Sequence, residues 1–428
     1  MPSTRHSPGR RAEERQRFGH ATADGRTGAS GRVRFLVALG FPAFGLAAAS
    51  TVVSTYLPVL VERLSGPLAA GLLIGGEGVV GLFLPALVGS WSDSTRSRLG
   101  PRLPFVLVAT AVGAAALVLL PFLGSVLAVA LAVLVFYMAY FAYYTPYRAL
   151  YSDLVEQDVR GRAVGLQGTW RSVGMLGAMA GGGVLLGLWQ PLPFLAGAAA
   201  LTLGTVVLYG GVSHESRRWG ARNEESGGSW RLLRDRADLR LLFAANSLWE
   251  FTVAALKTFV VLFITVGLGR SLNFTSLVLA AVGVAAVFAA PFSGWSADRF
   301  GHARVLKLAI LPFGLGLTIP LFTVSAWALP LVPIVAFAAV VLITVPYSLL
   351  MGLMPPDEHG AASGLFGLSR GVGTLLGPLV TGGAIQLLQP VLPATKGYSA
   401  LFAVTSAAIL LSYPLVRGVE RRMQEGAR

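Results

Sequence analysis

Inside the long apolar runs of this chain only a few side chains can ionise. Glu77 lies within Gly-Gly-Glu-Gly, and Glu250 and Lys257 share the run Asn-Ser-Leu-Trp-Glu-Phe-Thr-Val-Ala-Ala-Leu-Lys. A charge held among hydrocarbon costs at least ~2.5–3.5 kcal/mol, which makes each of these residues a functional candidate. Low dielectric favours the neutral form of a carboxyl, so Glu77 and Glu250 are candidates for reversible proton loading. The competing roles are a hydrogen bond to a neighbouring helix for Glu77 and pairing across the bundle for Glu250. Asn246, Glu250 and Lys257 fall at i, i+4 and i+11 and share one helix face. Seven residues separate the two charges by ~10 Å along the axis, too far for a direct pair. That face reads as a polar cavity wall, with Trp249 beside it as a stacking surface. Lys257 could instead snorkel to the nearer membrane surface.

A second constellation is aromatic. Tyr137, Tyr140, Tyr144, Tyr147 and Tyr151 step by 3, 4, 3 and 4 and hold one helix face, with Arg148 beside them. Rings tipped with hydroxyls offer a polyol an apolar wall and hydrogen bonds together; the alternative is ordinary packing. Tyr137, Tyr140, Tyr144, Arg148, Asn246, Trp249 and Lys257 are therefore the candidate solute-binding residues.

The elements that position these residues follow from composition. Charged residues make up 13% of the chain, against roughly 25% in soluble domains, and the deficit is confined to uncharged runs of ~20 residues, the length that crosses a hydrocarbon core. Twelve spans are expected near 34–61, 68–90, 104–123, 125–151, 162–188, 193–212, 239–266, 273–293, 305–325, 327–353, 361–388 and 398–417. Residues 1–33 read as a disordered basic tail, 213–238 as a charged linker splitting the spans six and six, and 418–428 as a short tail. With both termini cytoplasmic, fifteen Lys and Arg fall in the cytoplasmic inter-helix loops and three in the outer ones, as the positive-inside rule requires. The expected class is an all-α, multi-pass integral membrane protein in two pseudo-symmetric six-helix bundles, 34–212 and 239–417.

An internal repeat supports the two halves. GSWSD at 89–93 is echoed by SGWSAD at 293–298, and GRAVGLQGTWRSVGML at 161–176 aligns with GAASGLFGLSRGVGTL at 360–375. Arg171 thereby faces Arg370 in the alignment. Both read as loop anchors near the cytoplasmic ends of their helices. Two halves of this kind place a binding site at the midplane and rock about it.

The quoted loops carry a resemblance. Gly89-x-x-x-Asp93 with Arg96, Arg98, Gly100 and Arg102, and its second copy Gly294-x-x-x-Asp298-Arg299-x-Gly301-x-x-Arg304, resemble the signature loops of the major facilitator superfamily. Asp93-x-Thr95-Arg96-Ser97-Arg98-x-Gly100-x-Arg102-x-Pro104-Phe105 is similar to the glycoside–pentoside–hexuronide cation symporters and sucrose–proton symporters. So is Pro146-x-Arg148-Ala149-Leu150-x-x-Asp153-Leu154 with Arg160-Gly161-Arg162-Ala163. Where melibiose-type symporters carry cation-binding aspartates this chain has Gly81 and Pro85, and near the helix-four acid of sucrose transporters it has Tyr137. The resemblance implies proton-coupled symport of a sugar or glycoside by alternating access, in a plasma or inner membrane, by a monomer. The alternatives are proton-coupled efflux of apolar compounds and a non-transporting receptor or scaffold. The expected cytoplasmic gate comprises Gly89, Asp93, Arg98, Gly100, Arg102, Asp153, Arg160, Arg162, Arg171, Gly294, Asp298, Arg299, Gly301, Arg304 and Arg370. Asp93 is expected to meet a helix N-terminus or an arginine of the other bundle.

Other chemistries lack their residues. The chain has no cysteine, no phosphate-binding Gly-x-x-x-x-Gly-Lys loop and no ligand-spaced histidines. Neither a cofactor, a metal nor an enzymatic role is expected. The basic tails suit lipid headgroups, not nucleic acid.

Overall fold

The computed structural model describes residues 29–155, 159–216, 234, 236–322, 331–355 and 358–426. These residues fold almost entirely into helices: α1 (Ala29–Gly40), α2 (Pro42–Ser94), α3 (Leu103–Leu119), α4 (Val126–Leu154), α5 (Arg160–Leu188) and α6 (Leu192–Ser216), then α7 (Ala237–Leu262), α8 (Leu272–Phe300), α9 (His302–Phe322), α10 (Leu331–Gly352), α11 (His359–Leu388) and α12 (Ala400–Gly426). At 53 residues α2 would run about 80 Å if straight, more than twice a bilayer core. It turns back at Gly66, whose φ of 78° lies in the left-handed region, immediately before Pro67. The arm 42–65, extended by α1, makes the first crossing and the arm 67–94 the second, so the described helices supply the twelve expected crossings.

Helix ends run furthest past expectation at three places, one being α8, which continues past residue 293 to Phe300. α1 begins at Ala29, inside the expected tail, and α12 continues to Gly426. Extending an existing helix needs no new nucleus, and Lys307 of α9 pairs with Glu420 to hold the extension of α12. The greater part of the expected linker lies outside the described residues.

Alternate crossings place 95–102, 301 and 353–355 on one face, called here the motif face, and 66, 123–125, 189–191 and 389–399 on the opposite face. α1 to α6 pack as one half and α7 to α12 as the other. The halves meet through α2 against α11, α5 against α8, and α2 against α7. The first two contacts are equivalent under the internal repeat. Across them glycines let backbones touch: a Cβ at Gly71 would lie 2.2 Å from the Pro378 carbonyl oxygen, and one at Gly78 would lie 2.5 Å from that of Gly371. Both glycines sit in the part of α2 nearer the opposite face, which is sealed. Toward the motif face a Cβ at Gly165, Gly168, Gly294 or Gly367 would meet nothing within 4 Å. With the seam closed toward the opposite face and Arg171 and Gly367 exposed on the helices that meet across it, a cleft opens between the halves toward the motif face.

Around the outside, large apolar side chains such as Phe83, Leu87, Phe288 and Phe292 are exposed, as lipid contact requires. Trp91 and Trp295, the tryptophans of the two repeated loops, are exposed near the motif face, where indoles anchor at a membrane–water boundary.

Candidate functional site

The cleft draws its charges from both halves. Arg171 of α5 and Arg370 of α11 each stand eleven residues into their helices, about 16 Å from the helix start at 1.5 Å per residue. That is mid-span, and it overturns their expected place at a helix end. Arg370 faces Glu250 of α7, with Nε 3.9 Å from the carboxylate. Glu77 of α2 lies in the fields of Arg370, Lys257, Glu250 and Arg171. Arg370, Lys257 and Glu250 belong to one half and Glu77 to the other, so the cluster bridges the halves.

The tyrosine stripe divides. Tyr140 and Tyr144 stack with centroids 5.8 Å apart and planes 10° from parallel, and the Arg148 guanidinium lies 5.7 Å from the Tyr144 ring. Arg148, Arg171 and Arg370 all act on the Tyr144 hydroxyl. Steps of four carry Tyr140, Tyr144 and Arg148 along the edge that faces the cleft. The other edge packs inward. Tyr147 and Tyr151 both donate to the Leu39 carbonyl, at 2.8 and 3.0 Å, beside the point where Pro42 interrupts the helical ladder. Tyr143 joins Thr205 and Thr110 inside the same half. Tyr137 is buried, and its hydroxyl has no hydrogen-bond partner among the described residues.

Two residues expected on the cavity wall do not reach it. Trp249 is fully buried in the second half, its indole N–H donating to Ser412 Oγ of α12 at 2.9 Å. One residue from Glu250 is a turn of about 100° around the helix, which directs the indole away from the cleft. Asn246 is buried too, and donates to Ser369 Oγ of α11 at 2.7 Å. Trp249→Phe is accordingly expected to lower stability by about 0.5–1.5 kcal/mol through the lost hydrogen bond and to leave solute affinity unchanged. Thermal unfolding and a binding titration on the same preparation check both parts.

On the motif face the first repeated loop folds onto its own half. Gly100 takes a φ of 85°, where a side chain would be strained, and the chain reverses into α3. This brings buried Arg102 between Asp93, with which it pairs, and Asp153 of α4, 3.1 Å from Nε; it also donates to Ser92 Oγ at 2.6 Å. Asp93 thus meets an arginine of its own bundle, not one of the other, because the halves are parted at this face. Gly89 sits against Thr145 of α4, its Cβ position 3.8 Å from Cγ2. Arg98 and Arg162 are exposed; the Arg160 side chain lies outside the described residues. The second copy is built differently. Gly301 caps α8 with φ 89°, but Asp298 and Arg304 are exposed, and Arg299 lies over the Trp295 and Phe300 rings at 5.8 and 5.9 Å.

Two six-crossing halves that enclose a charged cleft, closed at one end, define a helical membrane-transporter fold. The pattern of the Major Facilitator Superfamily matches residues 2–178 and 242–426, and the chain belongs to that family. Among solved structures, a bacterial homologue of the human lysosomal transporter Spinster, inward-facing and unoccupied, superimposes with TM-score 0.73 at 15% identity over 92% of this chain and 98% of that one. The nucleoside transporter NupG gives TM-score 0.73 at 14% identity over 90% and 98% of the two chains. The POT family transporter PepTSo gives 0.71 at 11% over 92% and 99%. No curated protein matches the sequence. These structures are similar in fold; at such identities they say nothing of the solute.

Proposed function

We propose that the chain is a secondary active transporter that carries a polar solute with a proton by alternating access, the solute being of the sugar or glycoside class that its loops resemble. The observation that carries this reading is the mid-span charge cluster, which spans both halves at the base of a cleft open on one side. A site so placed is handed from one side to the other when the halves rock. A cluster of this polarity suits a hydrophilic solute better than an apolar efflux substrate.

In this reading Glu77 is the proton carrier, since it alone among the cleft carboxylates belongs to the first half and faces cations of the second. Tyr140, Tyr144, Arg148 and Lys257 form the solute wall. The Asp93–Arg102–Asp153 cluster belongs to the gate, with the motif face cytoplasmic because it holds the excess of basic residues. Arg102 stays on its own half while the gate is open, and Asp93, the more exposed of its two acids, is free to change partner when the halves approach. The protein acts as a monomer in a plasma or inner membrane.

Proteoliposomes test the proposal. Uptake of a radiolabelled solute should exceed its equilibrium level when a proton gradient is imposed, and collapse on adding a protonophore. A gradient-independent plateau for every solute that enters would refute coupling.

A further inference from the structure

The cleft carries more positive charge than its own acids can balance. Arg148, Arg171, Lys257 and Arg370 face two carboxylates, Glu77 and Glu250, an excess of two positive charges. The single ion pair within this set, Arg370 with Glu250, spans 3.9 Å, longer than a charge-assisted hydrogen bond, and the Arg370 side chain stays 41% exposed. Arg171 and Arg148 are exposed and form no ion pair among the described residues. Two of these cations, Arg171 and Arg370, stand at mid-span, and an excess of two charges there is costly to keep, unless something that enters the cleft supplies the counter-charge.

Space exists for it beside two of the arginines. Gly168 and Gly367 stand one helical turn before Arg171 and Arg370, on the same helix faces. At each a Cβ would meet nothing within 4 Å. Bare backbone thus adjoins both guanidinium groups, at positions that the internal repeat makes equivalent. Guanidinium forks match carboxylate and phosphate oxygens two at a time. The stacked rings of Tyr140 and Tyr144 lie alongside and can receive an organic body.

Resting on the transporter reading above and narrowing its sugar class to ionised members such as sugar acids and sugar phosphates, we propose that the solute is a small organic anion whose carboxylate or phosphate group is held between Arg171 and Arg370. The two arginines come from opposite halves, so an anion between them links α5 to α11 across the cleft. Its charge also offsets the excess that the empty cleft leaves. A neutral sugar would supply neither effect.

The test compares matched probes on the purified full-length protein by thermal unfolding: glucose with gluconate and glucose 6-phosphate, and benzyl alcohol with benzoate. Binding to the native state raises the unfolding temperature. At least one anionic member is expected to raise it at millimolar concentration, with its neutral partner inert. The carboxylates and the phosphate tell the two headgroups apart. Arg171→Gln and Arg370→Gln should each weaken that anion tenfold or more, and Arg171→Lys, which keeps the charge but loses the fork, should weaken it less. A neutral member binding as well as its anion, glutamine variants that bind unchanged, or no response to any anion would overturn the proposal. Uptake into proteoliposomes separates it from the transporter reading. An anion that binds but never accumulates refutes transport and leaves the site standing, whereas accumulation of neutral glucose leaves transport standing and refutes the site.

Discussion

Glu77→Gln is expected to abolish proton-driven accumulation and to leave solute exchange running. Glu77 lies ten residues into the second arm of α2, about 15 Å from its start, in a layer where an ionised carboxylate is costly unless cations answer it. Cations do answer it, from the other half: Arg370 and Lys257. When the halves rock, the carboxylate and its cations are the groups whose separation changes, so the proton on Glu77 is the one able to sense which side is open. Glutamine keeps the shape and hydrogen-bonding reach of the protonated acid and cannot release a proton. A transporter with this substitution should bind solute and rock, but its net uptake should no longer respond to the gradient, a loss of tenfold or more in accumulation ratio. Counterflow, in which unlabelled solute inside exchanges for labelled solute outside, needs no net proton movement and should persist. Accumulation that survives the change would move the coupling role to Glu250. Loss of counterflow as well would mean that Glu77 holds the fold or the solute instead.

The crossings were legible in the sequence because hydrocarbon thickness dictates a run length, and most of the described helix ends fall within a few residues of their expected places. The turn at Gly66 falls inside the expected break between residues 61 and 68, whereas α8 continues past its expected end at residue 293 to Phe300. Site residues were less legible. Glu77, Glu250, Lys257, Tyr140, Tyr144 and Arg148 stood out by charge or spacing and do come together. Arg171 and Arg370 stood out as a repeated pair but were read by their distance from a loop, and a helix that starts at the loop carries them to mid-span within three turns. Their signal was the glycine one turn earlier in each copy, Gly168 and Gly367, which leaves an arginine bare where a structural one would be packed. Trp249 was read by its closeness in sequence to Glu250, although adjacent residues point a quarter-turn or more apart. The partner of Asp93 could not be read at all. It depends on which face is open, and a sequence encodes both states.

That dependence on state gives the other large expected effect. Gly78→Ala should shift the protein away from the conformation described here and slow transport. A Cβ at residue 78 would lie 2.5 Å from the Gly371 carbonyl oxygen and 2.6 Å from the Leu375 backbone nitrogen. Both atoms belong to the other half and neither can rotate aside as a flexible side chain would. Gly71 and Gly75 repeat the arrangement against Pro378 and Leu375, at 2.2 and 2.8 Å from the carbonyl oxygens. The methyl group therefore opposes closure of the opposite face, while in the alternate state, where this seam parts, it meets less. Overpacking of this kind costs about 1–3 kcal/mol, which displaces a two-state equilibrium by roughly 5- to 150-fold. Because the chain has no cysteine, one engineered cysteine reports the change without removing others. Gly294→Cys, which stands in open space toward the motif face, should react readily with a hydrophilic thiol reagent applied to that face. In the Gly78→Ala background the motif face spends more time closed, so labelling should slow and the initial uptake rate fall tenfold or more. Gly210→Ala, where a Cβ meets nothing within 4 Å and no partner half is near, should change neither. Equal labelling and uptake in the Gly78 and Gly210 variants would mean that the seam yields at little cost, and that closure of the opposite face is held by other contacts.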